Sequence, residues 1–120
     1  MAKLWRGVFL LGATVLSGQA FGHARLLSSV PASGSAMSAA PATVSLSFSE
    51  ALEPRFSSVI VTNASGVRAD KNDLTVAAGD AKTVRIDLNP LNAGTYTVKW
   101  RAVSVDTHRT QGVFSFTVKP

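Results

Sequence analysis

Two histidines and one aspartate are the residues of this chain whose types and spacing best suit chemistry, and that chemistry is metal binding. His108 lies two positions after Asp106, and the other histidine is His23. In an extended segment, residues two apart point to the same side, so Asp106 and His108 can approach one ion. Imidazole nitrogen and carboxylate oxygen both bind divalent metals. An Asp-x-His pair alone is a weak signal, because a solvated strand end accounts for it more often.

His23 gains a second ligand atom if the chain is cut immediately before it. Residues 1–22 have the pattern of a secretory signal, with Lys3 and Arg6, an apolar run over residues 8–16, and small residues at the −3 and −1 positions of a cut before His23. Cleavage there would free the α-amine of His23, which together with Nδ1 could chelate a metal. A cut one or two residues away would remove this chelate.

The combined donor set would contain three nitrogens and one oxygen. They are the amine and imidazole of His23, the imidazole of His108 and the carboxylate of Asp106. A tetragonal set of this kind favours Cu(II) or Ni(II) over tetrahedral zinc. The chain has no cysteine, which excludes thiolate sites. Taken singly, Asp106 could be an exposed turn residue, His108 a surface imidazole and Glu50 the solvated end of a strand.

With the signal pattern assigned to residues 1–22, the remaining length predicts one small exported domain at residues 23–120. The chain has 12 Lys and Arg against 7 Asp and Glu; two of the cations, Lys3 and Arg6, precede residue 23, which leaves a net charge of +3. The remaining Lys and Arg residues are scattered along the sequence and form no cluster, so nucleic acid is not expected as a partner. No apolar run after residue 16 approaches the length of about 18 residues that a membrane span needs.

Short alternating segments separated by turn residues predict an all-β fold. About seven strands with turns every 8–12 residues are typical of a Greek-key, immunoglobulin-like β-sandwich. Five aromatic side chains are expected in its core, because aromatics dominate small sandwich cores. They are Phe48, Phe56, Trp100, Phe114 and Phe116. The clearest strand segments are 24–29, 43–48, 57–62, 83–88, 95–102 and 112–118.

Several sequence blocks taken together point to one family. The blocks are His23-Ala24-Arg25-Leu26, Ser29-Val30-Pro31-Ala32, Gly34-Ser35, Leu46-Ser47-Phe48-Ser49-Glu50, the run from Gly94 to His108, and Gly112 with Phe114-Ser115-Phe116. With these blocks the chain resembles the CopC-type periplasmic copper-binding proteins of bacterial copper handling. The resemblance covers nearly all of residues 23–120.

The resemblance implies a Greek-key β-sandwich and one Cu(II) per chain at a site built from the new N-terminus. It implies that His23, Asp106 and His108 are the metal ligands, and that Glu50 is a carboxylate close to the site or a weak ligand. Some members also bind Cu(I) through a methionine-rich loop. This chain has only Met37 after residue 22, so we expect a member that binds Cu(II) alone, because Cu(I) needs several soft ligands.

The leading hypothesis is a monomeric, non-catalytic periplasmic protein of copper homeostasis and copper resistance. It would sequester copper or deliver it to an inner-membrane copper transporter. A second hypothesis is a small copper oxidase, because an N-terminal histidine with a second histidine also resembles the copper centre of lytic polysaccharide monooxygenases. A third is a metal-free immunoglobulin-like adhesion module. A copper titration separates the third from the first two, and oxidation of a polysaccharide separates those two.

Overall fold

The computed structural model describes residues 23–120, so the predicted signal peptide lies outside the described residues. Within residues 23–120, no helix is long and apolar enough to cross a membrane. Eight strands and one short 3-10 turn, Pro54–Phe56, make up the regular structure of this part. The strands are β1 (Leu26–Val30), β2 (Ala36–Met37), β3 (Thr43–Phe48), β4 (Ser58–Thr62), β5 (Thr75–Ala77), β6 (Asp80–Asp87), β7 (Gly94–Val103) and β8 (Arg109–Val118).

The strands form two four-stranded sheets, which confirms the predicted all-β sandwich. The first sheet has the order β1-β3-β6-β5, and the second has the order β2-β8-β7-β4. Neighbouring strands are antiparallel except β2 and β8, which run parallel. The chain crosses repeatedly between the sheets, so residues distant in sequence meet at each end of the sandwich.

The core lies between the inner faces of the sheets. Strand β3 alternates half-buried and buried residues along its whole length, as the period of two requires. The ring of Phe48 meets the indole of Trp100 from the opposite sheet edge-on, with centroids 5.2 Å apart. The indole covers Gly112, where an added Cβ would lie 2.5 Å from a ring carbon. A side chain at this position would therefore displace Trp100.

Phe56 is the one predicted core aromatic that the structure places elsewhere. Its side chain is 66% exposed, whereas Phe48, Trp100, Phe114 and Phe116 are buried. Phe56 ends the 3-10 turn outside the sheets, and the guanidinium carbon of Arg55 lies 5.6 Å from its ring centroid. The prediction was wrong because a single aromatic residue in a turn has no periodic partner to fix its direction.

The β7–β8 hairpin is the longest element and connects the two ends of the sandwich. Its strands pair without interruption from Gly94 opposite Val118 to Val103 opposite Arg109. Ten residues of extended chain span about 30 Å at roughly 3.3 Å per residue. The hairpin loop, residues 104–108, therefore lies at the opposite end of β8 from strand β2, which pairs with Thr117 and Val118.

Candidate metal centre

The segment that begins at His23 is fixed to both sheets at the hairpin-loop end. The Thr110 hydroxyl on β8 donates a 2.7 Å hydrogen bond to the Ala24 carbonyl, and the Ala24 side chain is fully buried. Ser49, directly after β3, accepts a 2.8 Å hydrogen bond from the Arg25 amide and donates one of 3.3 Å to the His23 carbonyl. The backbone of His23 is thus held in place while its side chain stays exposed.

The loop that carries the other two predicted ligands is a tight turn. The Ser104 amide donates to the His108 carbonyl at 2.9 Å, and the Thr107 amide donates to the Ser104 carbonyl at 2.8 Å. Thr107 has φ of 74°, the left-handed region that β-branched residues rarely adopt. Asp106 and His108 therefore approach each other through a turn. The extended segment expected from their spacing is not formed, because the chain reverses here.

The structure brings the three predicted ligand residues to one place. The imidazole rings of His23 and His108 have centroids 4.7 Å apart and planes inclined at 52°. Nδ1 of His108 lies 3.2 Å from Oδ1 of Asp106. Metal–nitrogen bonds are about 2.0–2.1 Å long, so one ion can contact both rings after side-chain rotations.

The hydrogen bonds around Asp106 keep its carboxylate charged. The Ser104 hydroxyl donates to Oδ1 of Asp106. This bond, followed by the interaction with His108, holds the pKa of Asp106 below the ordinary value of 3.8. Ser104 itself is 2% exposed, so it supports the half-exposed carboxylate from inside the fold. A charged oxygen ligand is consequently present across the neutral and mildly acidic range.

Glu50 lies at the same end of the sandwich but does not join these contacts. The chain just after it runs beside the hairpin loop, since Leu52 pairs with Ser104 and the Val105 amide donates to the Ala51 carbonyl at 3.1 Å. Among residues 23–120, the half-buried Glu50 side chain makes no hydrogen bond or ion pair. Its role as a nearby carboxylate or weak ligand stays a prediction.

The described residues do not form a closed metal cage. No group of three or more His, Cys, Asp or Glu side chains within residues 23–120 already surrounds a shared metal position. Asp106 is turned toward Ser104 and His108 instead. Two imidazoles and an adjacent carboxylate can still supply two nitrogens and one oxygen, and an α-amine on His23 would add the third nitrogen. This donor chemistry fits Cu(II) better than tetrahedral zinc.

Sequence reasoning missed the hydroxyl residues that position the site. Ser49, Ser104 and Thr110 hold the His23 segment and the Asp106 carboxylate. A serine two residues before an aspartate in a short turn is a usable signal for Ser104, because such residues bond locally. Thr110 gives no such signal, since its partner Ala24 is 86 residues away in the sequence.

Known proteins share both the sequence and this architecture. The chain is 37% identical over 118 residues to copper resistance protein C of Xanthomonas campestris pv. juglandis, covering 93% of this chain and 92% of that protein. It is 43% identical over 111 residues to copper resistance protein C of Pseudomonas syringae pv. tomato, covering 88% and 87%.

A solved structure extends this similarity to three dimensions. The crystal structure of PcoC, a methionine-rich copper resistance protein from Escherichia coli, superimposes with a TM-score of 0.72 at 41% identity, covering 81% of this chain and 99% of that one. The model of the CopC domain matches residues 26–119, which span both sheets and the hairpin loop. The sequence comparison and the structural comparison thus give the same assignment, and the chain belongs to the CopC domain family.

Proposed function

We propose that this protein binds one Cu(II) ion per chain in the bacterial periplasm and acts in copper resistance and homeostasis. The ligands are the α-amine and imidazole of His23, the imidazole of His108 and the carboxylate of Asp106. Copper is the cargo of this protein, which sequesters the ion or passes it to an inner-membrane transporter. The protein acts as a monomer and without catalysis.

The single observation that carries the proposal is the contact between the imidazoles of His23 and His108, 4.7 Å apart between centroids. It joins the first described residue to a loop 85 positions later in the chain. Two nitrogen ligands meet beside a charged Asp106, whose pKa is lowered by Ser104. The relatives named above are copper resistance proteins, which supports copper as the ion.

The position of the sole methionine among residues 23–120 supports selectivity for the oxidised ion. Met37 lies on β2 and pairs with Val118, at the far end of the sandwich from His108. The distance along β8 is about 30 Å at roughly 3.3 Å per residue. Met37 cannot join the histidine site, and one thioether alone does not make a Cu(I) site, because soft ions need several soft ligands. The similar PcoC is described as methionine-rich, so the two proteins differ here.

The decisive experiment compares two forms that differ by one residue at the N-terminus. One begins at His23 and the other at Gly22, which converts the His23 amine into an amide. We expect competition titration with Cu(II) to show an affinity lower by more than about 100-fold for the longer form, because losing a direct ligand should exceed the 10–100-fold effect of losing an outer partner. Equal affinities would refute the amine chelate. Mass spectrometry of the exported protein identifies which form the cell makes.

A further inference from the structure

The outer face of the second sheet carries an unbalanced positive charge. Lys99 and Arg101 on β7 and Arg109 on β8 are exposed, while the alternating neighbours Val98 and Trp100 are buried. Strands β2, β4, β7 and β8 contain no Asp or Glu. The ion pairs of the described residues use Glu53, Asp70 and Asp106 as acids, so within residues 23–120 none neutralises these three cations. We call Lys99, Arg101 and Arg109 the basic face.

The register of the strands groups these cations beside two grooves. Arg101 pairs with Gln111 and Arg109 pairs with Val103, which makes the two arginines diagonal neighbours about 7–8 Å apart at their backbones. Both line a groove of about 410 Å³ that also includes Ser58 and Thr107.

A second groove continues along the same sheet. Its volume is about 330 Å³, and Lys99 and Arg101 line it together with Ile60 and Val113. The Val113 side chain is 64% exposed. Guanidinium groups bind carboxylates through two parallel hydrogen bonds. The basic face thus offers hydrogen-bond donors for several carboxylates, with apolar side chains between the donors. This arrangement suits an extended acidic segment better than a single small anion.

We propose that the basic face is a docking surface for an acidic segment of a partner protein. This inference deepens the proposed function by naming the chemistry of the partner that meets the copper site, because Thr107 lines the first groove and Arg109 directly follows His108. Charge complementarity selects an acidic partner. The concave shape and the presence of only three cations favour a peptide over an anionic membrane, since lipid-binding clusters contain about four to eight.

The test measures binding of a peptide of ten glutamates to the purified protein without copper, at low salt. We expect amide shifts in NMR spectra confined to the outward positions of β4, β7 and β8, and an affinity that falls as salt is added. The Lys99→Glu/Arg101→Glu variant should lose at least about tenfold in peptide affinity. The Lys82→Glu/Arg85→Glu variant is the matched control, because it changes charge equally at exposed residues of β6 in the other sheet. It should stay within about twofold of the native protein.

Three results would overturn the proposal. In the first, the native protein does not bind the peptide. In the second, both variants lose peptide affinity equally. In the third, the protein binds phosphatidylglycerol vesicles more strongly than the peptide, and Lys99→Glu/Arg101→Glu weakens the vesicle binding to the same extent. The NMR map on the native protein keeps the test decisive if a variant does not fold. A separate Cu(II) titration of each variant distinguishes this inference from the proposed function. Copper affinity should be unchanged in both variants. If the native protein did not bind Cu(II), the proposed function would be refuted but the docking proposal would not.

Discussion

The two ends of strand β8 hold their neighbouring segments in different ways. At the hairpin-loop end, β8 holds the segment that begins at His23 through the side-chain hydroxyl of Thr110, which donates to the Ala24 carbonyl. At the far end, backbone amides of Thr117 and Lys119 donate to the carbonyls of Ser35 and Met37 at 2.9 and 2.8 Å. Backbone hydrogen bonds persist when side chains change, whereas hydroxyl bonds do not. Substitutions at the hairpin-loop end should therefore affect function, and similar substitutions at the far end should be tolerated.

The largest difference between the ends is expected for the groups proposed to bind metal. His108→Ala should lower Cu(II) affinity by more than about 100-fold, because it removes a direct nitrogen ligand. Met37→Leu, a substitution of similar volume at the far end, should leave the affinity within about twofold. Competition titration measures both. Paramagnetic resonance should report fewer coordinated nitrogens in His108→Ala only, and an unchanged spectrum in that variant would exclude His108 as a ligand.

Acid should weaken copper binding at the hairpin-loop end. Amine and imidazole nitrogens bind metal only when deprotonated, so Cu(II) affinity should fall by about tenfold or more per pH unit below about pH 6. Asp106 does not cause this fall. Its pKa is lowered in the folded protein by Ser104 and His108, so its contribution to stability is present above its unfolded pKa and is lost only as the pH falls through the still lower folded value.

Titrations at several pH values measure this slope, and circular dichroism checks that the fold is unchanged. A flat affinity between pH 7 and pH 5 would mean that nitrogen atoms are not the ligands. A loss of affinity that begins only below about pH 4 would instead assign the dependence to carboxylates, whose reference value is about 3.9.

A matched pair of threonines on β8 tests the hydroxyl contacts directly. Thr110→Val removes the hydrogen bond to the Ala24 carbonyl and should lower Cu(II) affinity by about 3–10-fold, because His23 is then less well positioned, and should cost about 1 kcal/mol of stability. Thr117→Val removes only a 3.2 Å contact with the Thr95 hydroxyl. Its copper affinity should equal that of the native protein. Equal effects of the two variants on copper would show that the hydroxyl of Thr110 has no positioning role.

The smallest expected effect concerns backbone strain in the hairpin loop. Thr107 has φ of 74°, and a left-handed conformation costs an ordinary residue roughly 1–2 kcal/mol. Thr107→Asn should raise the free energy of unfolding by about 0.5–1 kcal/mol, because asparagine tolerates this region. The same change at Thr117, within a strand, should give no gain. Urea unfolding measures both, and destabilisation of Thr107→Asn would show that the threonine hydroxyl matters more than the strain.

The sequence predicts the parts of this fold whose signal is local and periodic. Strand β3 has the predicted bounds, because six residues alternate without a break. Strands β2 and β5 were not predicted, since two and three residues are too few to show a period. The prediction that the Phe56 side chain lies in the core was wrong for a similar reason.

Some features of the candidate site can likewise be predicted from the sequence, and others cannot. Types and spacing single out Asp106, His108 and His23, and the structure brings them together. The reversal at Thr107 was not predicted, because a β-branched residue at positive φ contradicts local preference. The bond from Thr110 to Ala24 depends on the packing of distant strands, which no local pattern encodes.

The boundary between core and solvent falls between two consecutive residues, the exposed His23 and the fully buried Ala24. Because Ala24 is packed by the sandwich itself, folding does not require a free amine one residue earlier, whereas the proposed copper chelate does. A precursor that still carries residues 1–22 could thus fold and yet lack the amine ligand. Removal of the predicted signal peptide would then create the amine ligand, and we expect tight copper binding only in the compartment where that cleavage takes place.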